Sequence, residues 1–267
     1  MTRHGAIVAL TTLAIGCGAP DKDPMPDTTE TPAAAPTLAE RLADGQVVFG
    51  IFPGEQSGAG GTAMAEISGM DFVFYSLENG PFDLDTYGDY VEAMAAALGP
   101  NAPRRPTALR IPPVADDPEG AYERAGQALV AGIDALVVPH VQTSEHAAAA
   151  VGATGPNAWP TRPDGEHLNF LIIEDQPGIA NVSDIVATPG VSVVFAGPGD
   201  LRRAYDGDMV AVENAIQTVL AACKEHDVPC GITAGVDDIG ERIEQGFRVF
   251  IVTQAEALAV GRSAAGR

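Results

Sequence analysis

Residues 169–201 read NFLIIEDQPGIANVSDIVATPGVSVVFAGPGDL. Two apolar runs stand out, Asn169–Glu174 and Val191–Ala196, and each stops at an abrupt change of chemistry. The first ends on a carboxylate; the second gives way to Gly197-Pro198-Gly199 and then Asp200. Both runs are apolar at nearly every position, as strands covered on both faces of a parallel sheet must be. Working outward, the same signature recurs at Val47–Phe52, Phe72–Ser76, Thr107–Ile111, Ala135–Pro139, Cys230–Thr233 and Val249–Thr253.

Between most of these runs lie Ala-rich stretches with a helical stripe: Thr62–Ser68, Thr86–Leu98, Gly120–Ala131, Ser144–Val151, Met209–His226 and Asp238–Gln245. Asp83, Ser144 and Asp238 suit helix starts, and Gly132 and Gly246 suit left-handed helix ends. Eight strands with intervening helices predict an α/β fold, a closed (β/α)8 TIM barrel. An open doubly wound sheet is the competitor. No Gly-x-Gly-x-x-Gly follows the first strand, which disfavours a dinucleotide fold.

The chain of 267 residues is 46% hydrophobic, enough for one large packed domain. Its formal net charge is −21, from 36 acidic and 15 basic side chains. Such a surface repels phosphate backbones, so nucleic acid is excluded as an expected partner. An anionic substrate would need a local positive centre, either a metal ion or a buried Arg.

The domain is expected to span residues 38–267. Before it, Arg3 and His4 lead a short apolar run, Ala6–Ile15, that closes on Gly16-Cys17. Residues 1–17 read as a secretory signal, too short for a membrane span. The small residues before Cys17 resemble a bacterial lipobox, which implies lipidation of that Cys, export, and anchoring at the cell envelope, on its periplasmic face or the cell surface. An ordinary signal peptide is the alternative. Residues 18–37, rich in Pro, Asp, Thr and Ala, read as a disordered tether. Cys223 and Cys230 are either a disulfide or two buried thiols.

In a barrel, chemistry gathers where strands end. Glu174 and Asp200 follow adjacent strands, and hard divalent cations take such oxygen ligands. Arg110 is a charge inside an apolar strand and needs anionic company. Gly199 and its neighbours bring backbone amides close to a ligand. A purely structural ion pair between Glu174 and Arg110 explains the same residues without chemistry. Trp159 lies in an irregular segment, Gly152–Glu166, expected to cover the barrel mouth.

Five strand-end motifs occur in order: LENGPFD from Leu77, LRIP from Leu109, VVPHVQ from Val137, Ile173-Glu174, and FAGPGDL from Phe195. Together they resemble the hydroxy-oxo-acid aldolase and citrate lyase family of class II pyruvate aldolases, over nearly all of Gln46 to Val260. The resemblance implies a (β/α)8 barrel of the phosphoenolpyruvate/pyruvate-binding type. It implies a lyase with Glu174 and Asp200 as ligands of Mg2+ or Mn2+, and Arg110 on the keto oxygen of a small 2-oxo acid such as pyruvate or oxaloacetate. The substrate carboxylate would meet the amides of Gly199, Asp200 and Leu201, and cleavage would pass through a metal-stabilised enolate. A homo-oligomer is also implied.

Departures fall on the proton-transfer machinery. Where the family carries Asp-x-Glu-His on strand two, this chain has Ser76-Leu77-Glu78-Asn79. Asn cannot take a proton at neutral pH. Ile172 stands where the family tends to place Gln. The remaining proton carriers are a metal-bound hydroxide, a water held by Glu78, or His140, which is equally a space-filling residue. Three readings stay open: a lyase with a rerouted proton, an impaired relative that binds a metal and an oxo acid without breaking a bond, or a structural remnant that serves as an interaction module.

Overall fold

The computed structural model describes residues 1–2, 35–114 and 117–267. The expected signal segment, Cys17 and nearly all of the tether lie outside the described residues. The barrel unit begins at Ala35. None of its described helices is long and apolar enough to cross a membrane.

The first helix, α1 (Leu38–Ala43), starts in a capping box: Thr37 accepts from the Glu40 amide and Glu40 accepts from the Thr37 amide. Then strands and helices alternate: β1 (Val48–Ile51), α2 (Gly58–Glu66), β2 (Phe72–Ser76), α3 (Leu84–Leu98), β3 (Thr107–Arg110), α4 (Pro118–Val130), β4 (Ala135–Val138) and α5 (Ser144–Thr154). The second half continues with β5 (Leu168–Ile173), α6 (Gln176–Ala180), α7 (Val182–Val186), β6 (Val193–Ala196), α8 (Pro198–Ala204), α9 (Met209–Glu225), β7 (Cys230–Thr233), α10 (Ile239–Gln245), β8 (Val249–Val252) and α11 (Ala255–Ala264). The strands close in sequence order, all parallel, with β8 pairing back onto β1. This is a (β/α)8 barrel.

The buried side chains divide into two sets, and strand parity decides which set a residue joins. Phe49, Val73, Tyr75, Leu109, Leu136, Val138, Leu171, Ile173, Val194 and Phe250 pack outward into the helical ring. Their neighbours Phe72, Phe74, Ala108, Val137, Phe170, Ile172, Val193, Phe195 and Ile251 fill the barrel. Large rings need small partners there. A Cβ on Gly231 would meet the Phe195 ring at 2.3 Å, so glycine is what admits Phe195 to the lumen. Continuing the inward parity past Ala108 and Ile172 reaches Arg110 and Glu174.

The lower end of the barrel is plugged by α1, whose Leu38 and Leu42 join the inner set. Trp159 packs there too, and its carbonyl accepts from Ser192 Oγ just before β6. The Gly152–Glu166 segment therefore closes the end opposite the mouth, not the mouth itself. The reason is topological: a segment from α5 to β5 returns the chain to where strands begin. Cys223 on α9 and Cys230 on β7 are buried free thiols.

Candidate active site

Each chemically distinctive side chain is delivered by the upper end of a strand. Ser76 and Arg110 close β2 and β3 and are register partners. Arg110 Nε donates to Ser76 Oγ at 3.0 Å, and its Nη2 lies 2.9 Å from Glu78 Oε2. The guanidinium carbon sits 5.3 Å from the Phe74 ring centroid. Three contacts thus fix an arginine that would otherwise be free to swing. Asn79 Nδ2 donates to the same Glu78 Oε2 at 3.2 Å. The ion-pair partner of Arg110 is Glu78, not Glu174 as a purely structural pairing would require.

Glu174 follows β5 directly and is 2% exposed. Its Oε1 accepts from the His140 amide at 3.1 Å. Its carboxyl is pushed up to about 7, chiefly by burial and further by the nearby Asp200 charge; His140, its amide and Arg110 act in the opposite direction. A buried carboxylate with so little positive compensation is one that a cation would settle. The wall beside it is built to let something approach. A Cβ on Gly197 would lie 2.7 Å from Glu174 Oε2, so only glycine leaves that oxygen clear.

His140, two residues past β4, has a left-handed backbone with φ 50°. That turn aims both its amide and its ring at Glu174. Nε2 is 3.8 Å from Glu174 Oε1 and 4.0 Å from Glu78 Oε1. On the other side, Nδ1 is 3.5 Å from Asp175 Oδ2. Asp175 is itself pinned, accepting from Gln142 Nε2 at 2.7 Å and capping α6 through the Gly178 amide at 2.8 Å. Glu78, His140 and Glu174 present ligand atoms within 4.8 Å of one another.

Asp200 lies in the first turn of α8 and is engaged by Arg203 one turn on. It borders two cavities. The inner one, about 240 Å³, is lined by Phe74, Arg110, Glu174, Phe195, Gly199 and Asp200 among others. The outer one, about 440 Å³, is lined by Glu78, Asn79, Pro113, His140, Gln142, Asp200 and Arg203. The sequence-derived candidates therefore separate into two groups: Arg110, Glu174, Gly199 and Asp200 around the inner cavity, Glu78 and His140 around the outer. Leu201 departs from expectation. Its side chain is buried and its amide already donates to the Gly197 carbonyl at 3.0 Å, so it has no hydrogen to offer a ligand. The amides of Gly199 and Asp200, in the first turn of α8, have no intrahelical acceptor.

Sequence reasoning assigned no role to Asp175, although it directly follows Glu174. Its signal was local, an Asp before Gln-Pro, which reads as a helix cap. Its proximity to His140 exists only in three dimensions. The aromatic walls Phe52, Phe74 and Phe195 also carried no mark distinguishing them from other core residues.

A (β/α)8 barrel whose upper end holds a buried carboxylate, further acids and a fixed arginine belongs to the class of barrels equipped to take a divalent cation together with an anionic ligand. The HpcH/HpaI aldolase/citrate lyase family model matches residues 57–253, and the chain belongs to that family of metal-dependent carbon–carbon lyases. The chain is 30% identical over 227 residues to a 5-keto-4-deoxy-D-glucarate aldolase of Klebsiella pneumoniae, covering 76% of this chain and 84% of the relative. An HpcH/HpaI family protein from Burkholderia cenocepacia superposes with a TM-score of 0.68 at 27% identity, over 86% of this chain and 97% of that one. The Mycobacterium tuberculosis CitE protein, solved with magnesium, acetoacetate and coenzyme A, shares the fold at 17% identity and a TM-score of 0.58, over 82% of this chain and 81% of that one.

Proposed function

We propose that this chain is a carbon–carbon lyase that cleaves a 4-hydroxy-2-oxo acid to pyruvate and an aldehyde. The observation carrying this reading is the buried, under-compensated Glu174 carboxylate, lining one cavity with Asp200 and Arg110. Glu174 and Asp200 would hold the divalent cation, Mg2+ or Mn2+. When bound, it supplies positive charge to the oxygens of the 2-oxo acid as negative charge develops in the transition state.

The remaining work belongs to side chains. Arg110, held by Ser76 and Glu78, donates to the keto oxygen where enolate charge builds up. The Gly199 and Asp200 amides receive the substrate carboxylate. Phe52, Phe74, Ile172, Phe195 and Ile251 exclude water around them. In cleavage a proton leaves the C4 hydroxyl, the C3–C4 bond breaks, and its electron pair enters the enolate. A proton then returns to C3 to give the methyl group. Glu78, working through a water, is assigned this proton traffic in place of the missing Asp–His pair.

A second reading, a binding protein that breaks no bond, is favoured by one observation. Arg110 and Asn79 both donate to Glu78 Oε2, which occupies the lone pairs through which that carboxylate would engage a water. Exchange of the pyruvate methyl protons in D2O with Mg2+ or Mn2+, followed by NMR, separates the two. The lyase predicts exchange that is lost in Glu174→Ala. Thermal stabilisation by metal plus pyruvate without exchange identifies the binder.

The proposed setting is the bacterial cell envelope, with a lipid on Cys17 as the only membrane contact. The apolar run ending at Gly16-Cys17 supports it. Metabolic labelling with a fatty acid tests it: label absent from the wild-type chain, or retained in Cys17→Ala, defeats it. A homo-oligomer is proposed from the family resemblance, and light scattering measures it.

A further inference from the structure

We propose that His140 Nε2 is a protein ligand of the cation held by Glu174, with Asp175 orienting the ring, and that this makes the site prefer nitrogen-accepting ions such as Mn2+, Co2+ and Zn2+ over Mg2+. The inference rests on the preceding reading only in taking Glu174 as a cation ligand.

Metal–nitrogen and metal–oxygen bonds of about 2.0–2.2 Å let one ion touch two atoms up to about 4.3 Å apart. The separations of Nε2 from Glu174 Oε1, 3.8 Å, and from Glu78 Oε1, 4.0 Å, both fall within that reach. Neither is a hydrogen bond, so Nε2 is not already committed to either carboxylate. The opposite ring nitrogen lies 3.5 Å from Asp175 Oδ2, on the side where a metal-binding imidazole usually has a carboxylate beside it. Asp175 is held by two further donors and so serves as a rigid reference for the ring. The left-handed backbone at His140 is the fourth sign. A non-glycine residue is kept in that conformation where surrounding structure requires it, and here it turns the ring inward.

The consequence is selectivity. Mg2+ is satisfied by oxygen ligands and water, whereas imidazole suits later first-row ions. A site of two carboxylates alone would not discriminate in this way; adding one imidazole does.

The test uses the purified chain. Its Mn2+ complex is examined by pulsed EPR for coupling to a 14N nucleus, with 15N-histidine labelling to assign it, and Mn2+, Co2+ and Mg2+ affinities are measured by titration. The expected result is a histidine nitrogen coupling that disappears in His140→Ala. In that variant Co2+ and Mn2+ affinities fall about 10–100-fold while Mg2+ affinity changes less than about 3-fold. Asp175→Asn should retain the coupling and weaken Co2+ about 10-fold. Circular dichroism and melting of the apo variants confirm that they fold. Mn2+ bound through Glu174 without nitrogen coupling overturns this inference and leaves the lyase reading intact. An equal loss of Mg2+ and Mn2+ in folded His140→Ala also overturns it. Nitrogen coupling without pyruvate exchange upholds it while removing the lyase. Failure to bind any of the three ions defeats both.

Discussion

The two ends of the barrel each bury a carboxylate, and they treat it in opposite ways. At the lower end Asp71, 6% exposed at its side chain, receives both terminal nitrogens of Arg267 at 2.8 Å and the Phe49 amide at 2.9 Å. Arg262 stands a further 3.5 Å away. At the upper end Glu174 is as deeply buried, yet it receives one amide and faces another acid. The lower carboxylate is saturated with positive partners and ties together β1, the residue before β2 and the end of the chain. The upper one is pushed toward its neutral form by burial and by the Asp200 charge, against the opposing influence of His140 and Arg110. A group satisfied within the protein contributes stability; one left wanting is available for a ligand, at a cost to the apo fold.

The sharpest way to break this contrast is to remove the lower carboxylate. Asp71→Ala removes the carboxylate shared by Arg41, Arg262 and Arg267, and equilibrium unfolding in urea should show a loss of about 3–5 kcal/mol. Its cation affinity should stay at the wild-type level; a parallel loss would mean that the two ends are not independent.

At the upper end the sign reverses. The folded value of Glu174, about 7, lies above the ordinary 4.5, so the folded apo protein keeps a proton that the unfolded chain releases over that interval. Apo stability should therefore fall as pH rises from about 4.5 to about 7, by about 3 kcal/mol in all, with no further loss above. Glu174→Gln should not share this loss. Its melting temperature should exceed that of wild-type apo protein at pH 8 and match it near pH 4.5. Saturating Mn2+ should flatten the wild-type profile.

Arg110→Lys keeps the charge but loses the fork that spans Ser76 and Glu78. Pyruvate proton exchange should drop about 10–100-fold, equivalent to about 1.4–2.8 kcal/mol, with cation affinity nearly unchanged. The smallest effect belongs to Arg203→Ala. Its partner Asp200 is freed to serve the cation, so Mn2+ affinity should rise about 2–3-fold. Stability should move by less than about 0.5 kcal/mol, since the pair lies in solvent.

Much of the fold was legible because parallel barrel strands must be apolar on both faces. All eight expected runs are strands, each within about two residues of its observed ends. Six helical stripes are helices as well. The helices that were missed are short, five to seven residues: α1, α6, α7 and α8. Of these, α6 and α8 open on Pro residues that read first as loop. The Gly152–Glu166 segment was given to the wrong end because its composition suggested a lid, whereas its place between a helix and a strand puts it at the bottom. At the site, Arg110, Glu174 and Asp200 could be read from their positions at strand ends. The Arg110–Glu78 pair, the turn at His140 and the engaged Leu201 amide could not.

Local chemistry along the chain was enough to specify the number and order of strands and the charged residues at their tips. Hydrophobic patterning and turn residues act over a few positions and leave a direct imprint there. Which strand residues face the lumen, which carboxylate is compensated and which is left wanting, and which nitrogen turns toward Glu174 were decided only on closure of the barrel. Those outcomes depend on distances between residues tens of positions apart, and on burial that strengthens or starves a charge only once the surrounding strands are in place.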